Sequence, residues 1–172
     1  MVNRQRSETF RIGVIAGAAG GLAEIAWVSL YAGVTGGNPA VLARGVTTAA
    51  GVSALLPATS PVMLGIAVHM MLAVMLGIVL TLAWQVRSAR RDGLTSAYPF
   101  MLAALAGVWA TNFFVVLPIV SPAFVYMVPY AISLTSKLLF GVAAAEVVRN
   151  QALFAAPALA RSKSRLGNTS RN

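Results

Sequence analysis

Four long apolar segments restrict the fold of this 172-residue chain more than any other feature. They cover about residues 12–34, 63–86, 98–118 and 123–148. Crossing a hydrocarbon core of roughly 30 Å takes about 20 helical residues, and in lipid only helices and closed barrels satisfy every backbone group. The sequence therefore predicts an all-α membrane protein, with a bundle of four transmembrane helices within residues 1–150.

The composition supports a membrane protein. Hydrophobic residues make up 58% of the chain and charged residues only 10%, and the mean hydropathy is +0.79. Soluble domains carry about 25% charged residues. The chain has no cysteine, so its own side chains offer no disulfide, iron–sulfur or thiol chemistry.

Basic residues are distributed unevenly among the predicted loops. They precede the first span, separate the second from the third and follow the fourth: Arg4, Arg6, Arg11, Arg87, Arg90, Arg91, Arg149, Arg161, Lys163, Arg165 and Arg171. The other two loops hold only Arg44. Positive charge marks the cytoplasmic side, so both termini are predicted to be cytoplasmic. Frequent alanine, and arginine in excess of lysine, are compatible with a bacterial source, which predicts a multi-pass protein of the bacterial inner (plasma) membrane.

The net charge of +9 is interpreted as topology and attraction to the lipid bilayer, and no nucleic-acid partner is expected. Residues 151–172 are predicted to form a basic, disordered cytoplasmic tail near anionic headgroups. Docking of a partner protein by this tail is the alternative.

The first outer loop is long enough to contain a helix. Asn38 followed by Pro39 is a strong helix start, with a side-chain cap and a proline at the first position. Residues 39–56 are apolar but include Arg44, Thr47 and Thr48. An interfacial or re-entrant helix is therefore predicted over this stretch.

Small residues at spacing four predict where helices pack, because they let backbones approach closely in lipid. The glycines assigned to packing are Gly13, Gly17, Gly21, Gly65, Gly77 and Gly141. The second span aligns Gly65, His69, Ala73, Gly77 and Thr81, and the fourth aligns Pro129, Ser133, Lys137, Gly141 and Ala145. The likeness of these two lines suggests two helical hairpins repeated in the same orientation, although an Ala/Gly-rich chain produces such matches by chance.

Each predicted span carries one strongly polar residue at a similar depth: Glu24, His69, Asn112 and Lys137. From the helical rise, Glu24, His69 and Lys137 lie about 12 Å below the outer surface and Asn112 about 9 Å below it. A charge at such a depth costs roughly 2.5–3.5 kcal/mol on insertion scales, so it needs a partner or a polar cavity. The sequence predicts an intramembrane polar layer, and leaves open whether its members face one another.

Three interpretations of this layer are open. Glu24 and Lys137 are a structural ion pair that His69 and Asn112 complete, or the layer is a proton or ion path, or it binds a small ligand or lipid headgroup. A single histidine excludes a haem held by two histidines, and no tetrahedral metal set exists. No phosphate-binding or nucleophile motif occurs, so neither a cofactor nor an enzyme activity is expected.

Two functions follow from these observations. The leading one is a structural or accessory subunit that packs with itself or with a larger membrane complex, since short-looped helices without a separate domain have little means to act alone. The alternative is a small transporter or proton-coupled channel that uses the polar layer.

Overall fold

Every regular element in the described part of the chain is a helix. The structure, a computed structural model, describes residues 2–52, 60–88 and 96–151, with side chains from residue 7 onward. Its elements are α1 (Val2–Val34), α2 (Pro39–Ala49), α3 (Pro61–Ser88), α4 (Ala97–Thr111), a π-helical turn (Asn112–Val116), α5 (Leu117–Val120), α6 (Pro122–Val125) and α7 (Tyr130–Arg149). The predicted tail lies outside the described residues, apart from Gln151.

Four helical stretches are long and apolar enough to cross a membrane, which confirms the prediction of four such helices. They are Ser7–Val34, Pro61–Ser88, Ala97–Val120 and Tyr130–Arg149.

The fourth of these helices begins at Tyr130, whereas the sequence predicted residue 123. Pro129 precedes it with an extended backbone (φ −54°, ψ 141°). Proline has no N–H for the helical ladder and disfavours helical backbone in the residue before it. The fourth helix therefore starts after this proline, and residues 122–125 form the separate short helix α6.

The third helix continues past its predicted end at Pro118, as far as Val120. A π-helical turn precedes the proline, closed by the N–H of Leu117 donating to the carbonyl of Asn112. Because a proline inside a helix removes one hydrogen bond and crowds the carbonyl four residues back, the extra residue of the π turn relieves that strain. The predicted turn from 118 to 122 is thereby reduced to Ser121, which lies between α5 and α6.

Glycines end helices α1 and α2, which lie before and within the connection to α3. Gly36 has φ +71°, and the N–H of Gly37 reaches back to the carbonyl of Ala32 at 2.7 Å, which closes α1. Helix α2 then starts where predicted, with the Asn38 side chain accepting from the Ala40 N–H at 2.9 Å. It ends at Ala49 instead of running toward residue 56, because Gly51 takes φ +68°; residues 53–56 lie outside the described part.

Helix α1 lies between its two main neighbours. It packs antiparallel along α3 on one side and along α7 on the other, while α4 packs on α7 and α2 packs on α3. Helices α3 and α4 make few contacts with each other. One is between the rings of Trp84 and Phe100, whose centroids are 5.6 Å apart. We call the end that carries Arg87 and Arg149 the basic end. Completely buried side chains at the contacts of these helices include Ala16, Met101, Leu105, Phe140 and Ala144.

Glycine brings the backbones of α1 and α3 into contact. A Cβ atom on Gly13 would lie 2.6 Å from the Cα of Ile78, and one on Gly17 would lie 2.5 Å from the carbonyl oxygen of Ala73. Such distances leave no room for a side chain. Gly77 meets the Gly17 backbone from the other side, so these glycines set the separation of the two helices.

Two further glycines assigned to packing lie at other contacts. Gly65 of α3 meets the backbone of Ala43 in α2. Gly141 of α7 faces side chains of α4, and a Cβ atom on it would lie 3.2 Å from Leu102 and from Leu105. Both glycines lie where one helix crosses another.

Candidate functional site

A charge cluster joins α1, α3 and α7, with the Glu24 carboxylate at its centre. Only 3% of the Glu24 side chain is exposed. Its Oε1 atom lies 2.7 Å from Nζ of Lys137, and the hydroxyl of Ser136 donates to the same oxygen at 3.4 Å. One carboxylate oxygen thereby links α1 to α7 through a short ion pair and a hydrogen bond.

The second oxygen of Glu24 faces α3. Its Oε2 atom lies 3.5 Å from Nε2 of His69, beyond the usual 2.7–3.2 Å of an N–H···O bond. Neither atom has a hydrogen-bond partner among the described residues, and both are buried. The imidazole therefore faces the Glu24 carboxylate, and the two groups remain incompletely paired.

Two glycines let the helices approach closely next to this cluster. The position of a Cβ on Gly20 falls 2.6 Å from the Phe140 ring of α7, and that of a Cβ on Gly21 falls 2.8 Å from Ala73 of α3. Without side chains at these positions, α1 fits closely against both neighbours just before Glu24. The carboxylate consequently reaches basic groups on two helices at once.

Asn112 does not join the other three members of the predicted polar layer. The described hydrogen bonds and ion pairs of Glu24 involve Lys137, His69 and Ser136. Asn112 lies at the start of the π-helical turn, in a span that packs mainly on α7. The structure thus brings Glu24, His69 and Lys137 together and leaves Asn112 apart.

Sequence reasoning missed Ser136 and Gly20. Ser136 precedes Lys137 and projects about 100° away around the helix, toward α1. Gly20 lies beside the Gly21 that the spacing rule selected, and its neighbour is α7 instead of α3. An adjacent glycine pair is the signal that would have indicated two different helix contacts.

Two tryptophans make hydrogen bonds to α7 away from the charges. Trp27 Nε1 donates to the carbonyl of Ile132 at 3.1 Å, which links α1 to α7. Trp109 Nε1 donates to the hydroxyl of Ser133 at 3.0 Å, which links α4 to α7. Helix α7 is therefore held by polar contacts on both sides.

Comparison of the chain with protein-family models, curated proteins and solved structures finds no match. The chemistry of the charge cluster is therefore what indicates a function. The cluster contains one carboxylate on α1, with an imidazole from α3 and an ammonium from α7 beside it. These groups can stabilise a helix arrangement by charge pairing, and they can also bind and exchange protons.

A separate polar cluster lies at the basic end. The Glu146 carboxylate accepts hydrogen bonds from the Tyr98 hydroxyl, from Arg149 at 2.8 Å and from Asn150 at 3.0 Å. The Arg149 guanidinium also lies 5.9 Å from the centre of the Tyr98 ring. These contacts fasten α4 to α7 at their ends, and the exposed position of Arg149 indicates a modest stabilising effect.

Proposed function

We propose that this protein is a four-span protein of the bacterial inner membrane, with both termini in the cytoplasm, acting as a structural or accessory subunit. It packs with itself or with a larger membrane complex and has no catalytic role. The observation that carries this proposal is the short pair between Glu24 and Lys137, in which the carboxylate is almost fully enclosed. A closed, directly paired charge at a helix contact is suited to fixing an arrangement of helices.

The exposed surfaces of α3 and of the third span, Ala97–Val120, support a role in assembly. In the apolar 18-residue stretch of α3, 17% of the residues are buried by the rest of the chain, and the third span has the same value. The corresponding values for the first and fourth spans are 39% and 44%. The first and fourth spans thus form the interior, and the other two present most of the surface available to lipid or to a partner helix.

Purification at native abundance tests this function. In mild detergent or polymer-stabilised membrane discs, we expect the protein to co-purify stoichiometrically with another membrane protein or as a homo-oligomer. Mass measurement of the intact particles distinguishes these forms. Particles that contain only the monomer would contradict an assembly role.

A small transporter or proton-coupled channel is the second candidate, and one observation favours it. The side chains of Lys137 and His69 remain 21% and 26% exposed, so the cluster is not completely enclosed. This candidate predicts flux of protons or common ions in proteoliposomes. It also predicts that Glu24→Gln and Lys137→Met abolish the flux while the helical circular dichroism spectrum is retained. An absence of flux from the folded protein, or unfolding by both substitutions, leaves the structural role.

A further inference from the structure

The contact of Arg87 shows which face of α3 meets the third span. The Arg87 guanidinium lies 5.7 Å from the centre of the Phe100 ring in that span. Residues seven, eleven and fifteen positions earlier lie on the same face of a helix, and these are Leu80, Leu76 and Leu72. Leu80 is 5% exposed, Leu76 is partly buried and Leu72 is 53% exposed. This face of α3 therefore loses its cover with increasing distance from the basic end.

The third span opens in the same direction. Its Phe100 ring contacts Trp84 and Arg87 of α3. On the same face follow Ala104, which is partly buried against the core, and Gly107, whose Cβ position has no heavy atom within 4 Å. Since α3 and α4 also make few contacts with each other, a shallow groove lies between them. We call it the α3–α4 groove, and its walls are Leu72 and Leu76 on one side and Ala104 and Gly107 on the other.

The depth of the α3–α4 groove matches one leaflet of a bilayer. Arg87 and Leu76 are eleven residues apart on α3, which corresponds to about 16 Å of helical rise. Half of a hydrocarbon core of roughly 30 Å is about 15 Å. An acyl chain that starts at the basic end would therefore reach the widening part of the groove at the bilayer centre.

The charge at the basic end of the groove is available to a ligand. Arg87 is exposed and has no carboxylate partner in the part of the chain that the structure describes. In contrast, Arg149 donates to both oxygens of the Glu146 carboxylate, at 3.1 and 2.8 Å. The N–H donors of a guanidinium match the oxygen atoms of a phosphate in geometry and charge. Arg87 is therefore suited to bind a phosphate group next to the groove.

We propose that Arg87 and the α3–α4 groove bind an anionic phospholipid from the leaflet at the basic end. Its phosphate contacts Arg87, beside the Trp84 ring, and one acyl chain lies in the groove. An exposed, unpaired arginine at the end of an apolar groove favours an amphiphile with a phosphate over an apolar partner helix. This inference rests on the proposed membrane location but not on the proposed assembly role.

Quenching of Trp84 fluorescence by brominated lipids tests the proposal, because bromine quenches tryptophan on contact. The protein carries Trp27→Phe and Trp109→Phe, so that Trp84 is its only tryptophan. It is placed in phosphatidylcholine vesicles that contain a minor fraction of brominated phosphatidylglycerol or brominated phosphatidylcholine. We expect the anionic lipid to bind about fivefold more tightly than the zwitterionic one, as one arginine near an anionic headgroup predicts.

Two variants separate the site from general surface charge. Arg87→Gln is expected to abolish the preference for the anionic lipid. Arg149→Gln removes the same charge from the same end, but its guanidinium is paired with Glu146, so the preference is expected to remain. Excess inorganic phosphate at constant ionic strength is expected to leave the quenching unchanged, because the acyl chain contributes to binding.

Four results would overturn the proposal. They are equal quenching by the two lipids, an unchanged preference in Arg87→Gln, an equal loss in Arg149→Gln, or relief of quenching by inorganic phosphate, which would indicate a site for free anions. Quenching by neither lipid would show that a partner helix covers the groove, and it would also contradict the proposal. If the single-tryptophan protein fails to fold by circular dichroism, native mass spectrometry of the otherwise unsubstituted protein and its Arg87→Gln variant counts the retained anionic lipid instead. The quenching assay needs no partner, so its failure leaves the result of the assembly experiment standing.

Discussion

Gly17→Ala tests whether backbone contact sets the separation of α1 and α3. The added Cβ would lie 2.5 Å from the Ala73 carbonyl oxygen and 2.6 Å from the Val74 Cα atom. Ordinary contact begins at 3.4 Å, so the helices must separate by about 0.9 Å at this point. Both atoms belong to the backbone of α3 and cannot rotate away.

The expected loss of stability follows from this displacement. Inserting one methyl group into a closely packed contact typically costs about 1–3 kcal/mol. The separation also weakens the contacts that Gly13 and Gly21 make on the same helix pair, and it moves Glu24 away from His69. We therefore expect Gly17→Ala to lower the free energy of unfolding by about 1–3 kcal/mol.

Gly107→Ala is the matched control, because no heavy atom lies within 4 Å of its Cβ position on α4. The chemical change is identical, and alanine favours helix by at most about 1 kcal/mol. Equilibrium unfolding in bicelles, followed by steric trapping or circular dichroism, measures both variants. If Gly17→Ala is as stable as Gly107→Ala, the close-contact explanation is wrong.

Three further predictions concern polar contacts and the proline. Lys137→Met leaves the buried Glu24 carboxylate without its cation and is expected to lower the free energy of unfolding by about 3–5 kcal/mol. The double variant with Glu24→Gln is expected to recover much of this loss in a double-mutant cycle. If the losses of the two single variants simply add, the two side chains are not coupled. Trp109→Phe removes the bond to the α7 hydroxyl and is expected to cost about 0.6 kcal/mol in the same unfolding assay, with no change if that bond forms only weakly. Pro118→Ala restores a backbone N–H and lets the π turn convert to regular α-helix. The amides of Asn112–Val116 are therefore expected to show slower hydrogen exchange than in the unsubstituted protein. Unchanged exchange rates would show that the proline does not cause the π turn.

Hydropathy located the four long helices because their apolar length is a property of composition. Proline positions explain the main errors at their ends. The sequence placed residues 123–129 within the fourth helix, since they are apolar, but Pro129 interrupts the helical ladder there. The third span showed the opposite error, because a π turn lets the helix continue through Pro118.

The candidate site was predictable in depth but not in rotation. Counting residues along each span placed Glu24, His69, Lys137 and Asn112 at similar depths, and rise per residue suffices for that estimate. Which face of each helix meets a neighbour depends on the order of packing, and a single sequence does not contain that order. Asn112 was grouped with the others for this reason, although its span packs mainly on α7.

The position of α1 between α3 and α7 has a consequence for how the chain is assembled. Ser136, beside Lys137, is synthesised 112 residues after Glu24, an interval of about 6–20 s at typical translation rates. Helix α3 is synthesised before α7, so we expect His69 to be the first basic side chain to reach the Glu24 carboxylate. The ammonium of Lys137 arrives only with the last helix. A chain that lacks α7 would thus hold the Glu24 carboxylate beside His69 alone, without the short ion pair that Lys137 makes in the complete protein.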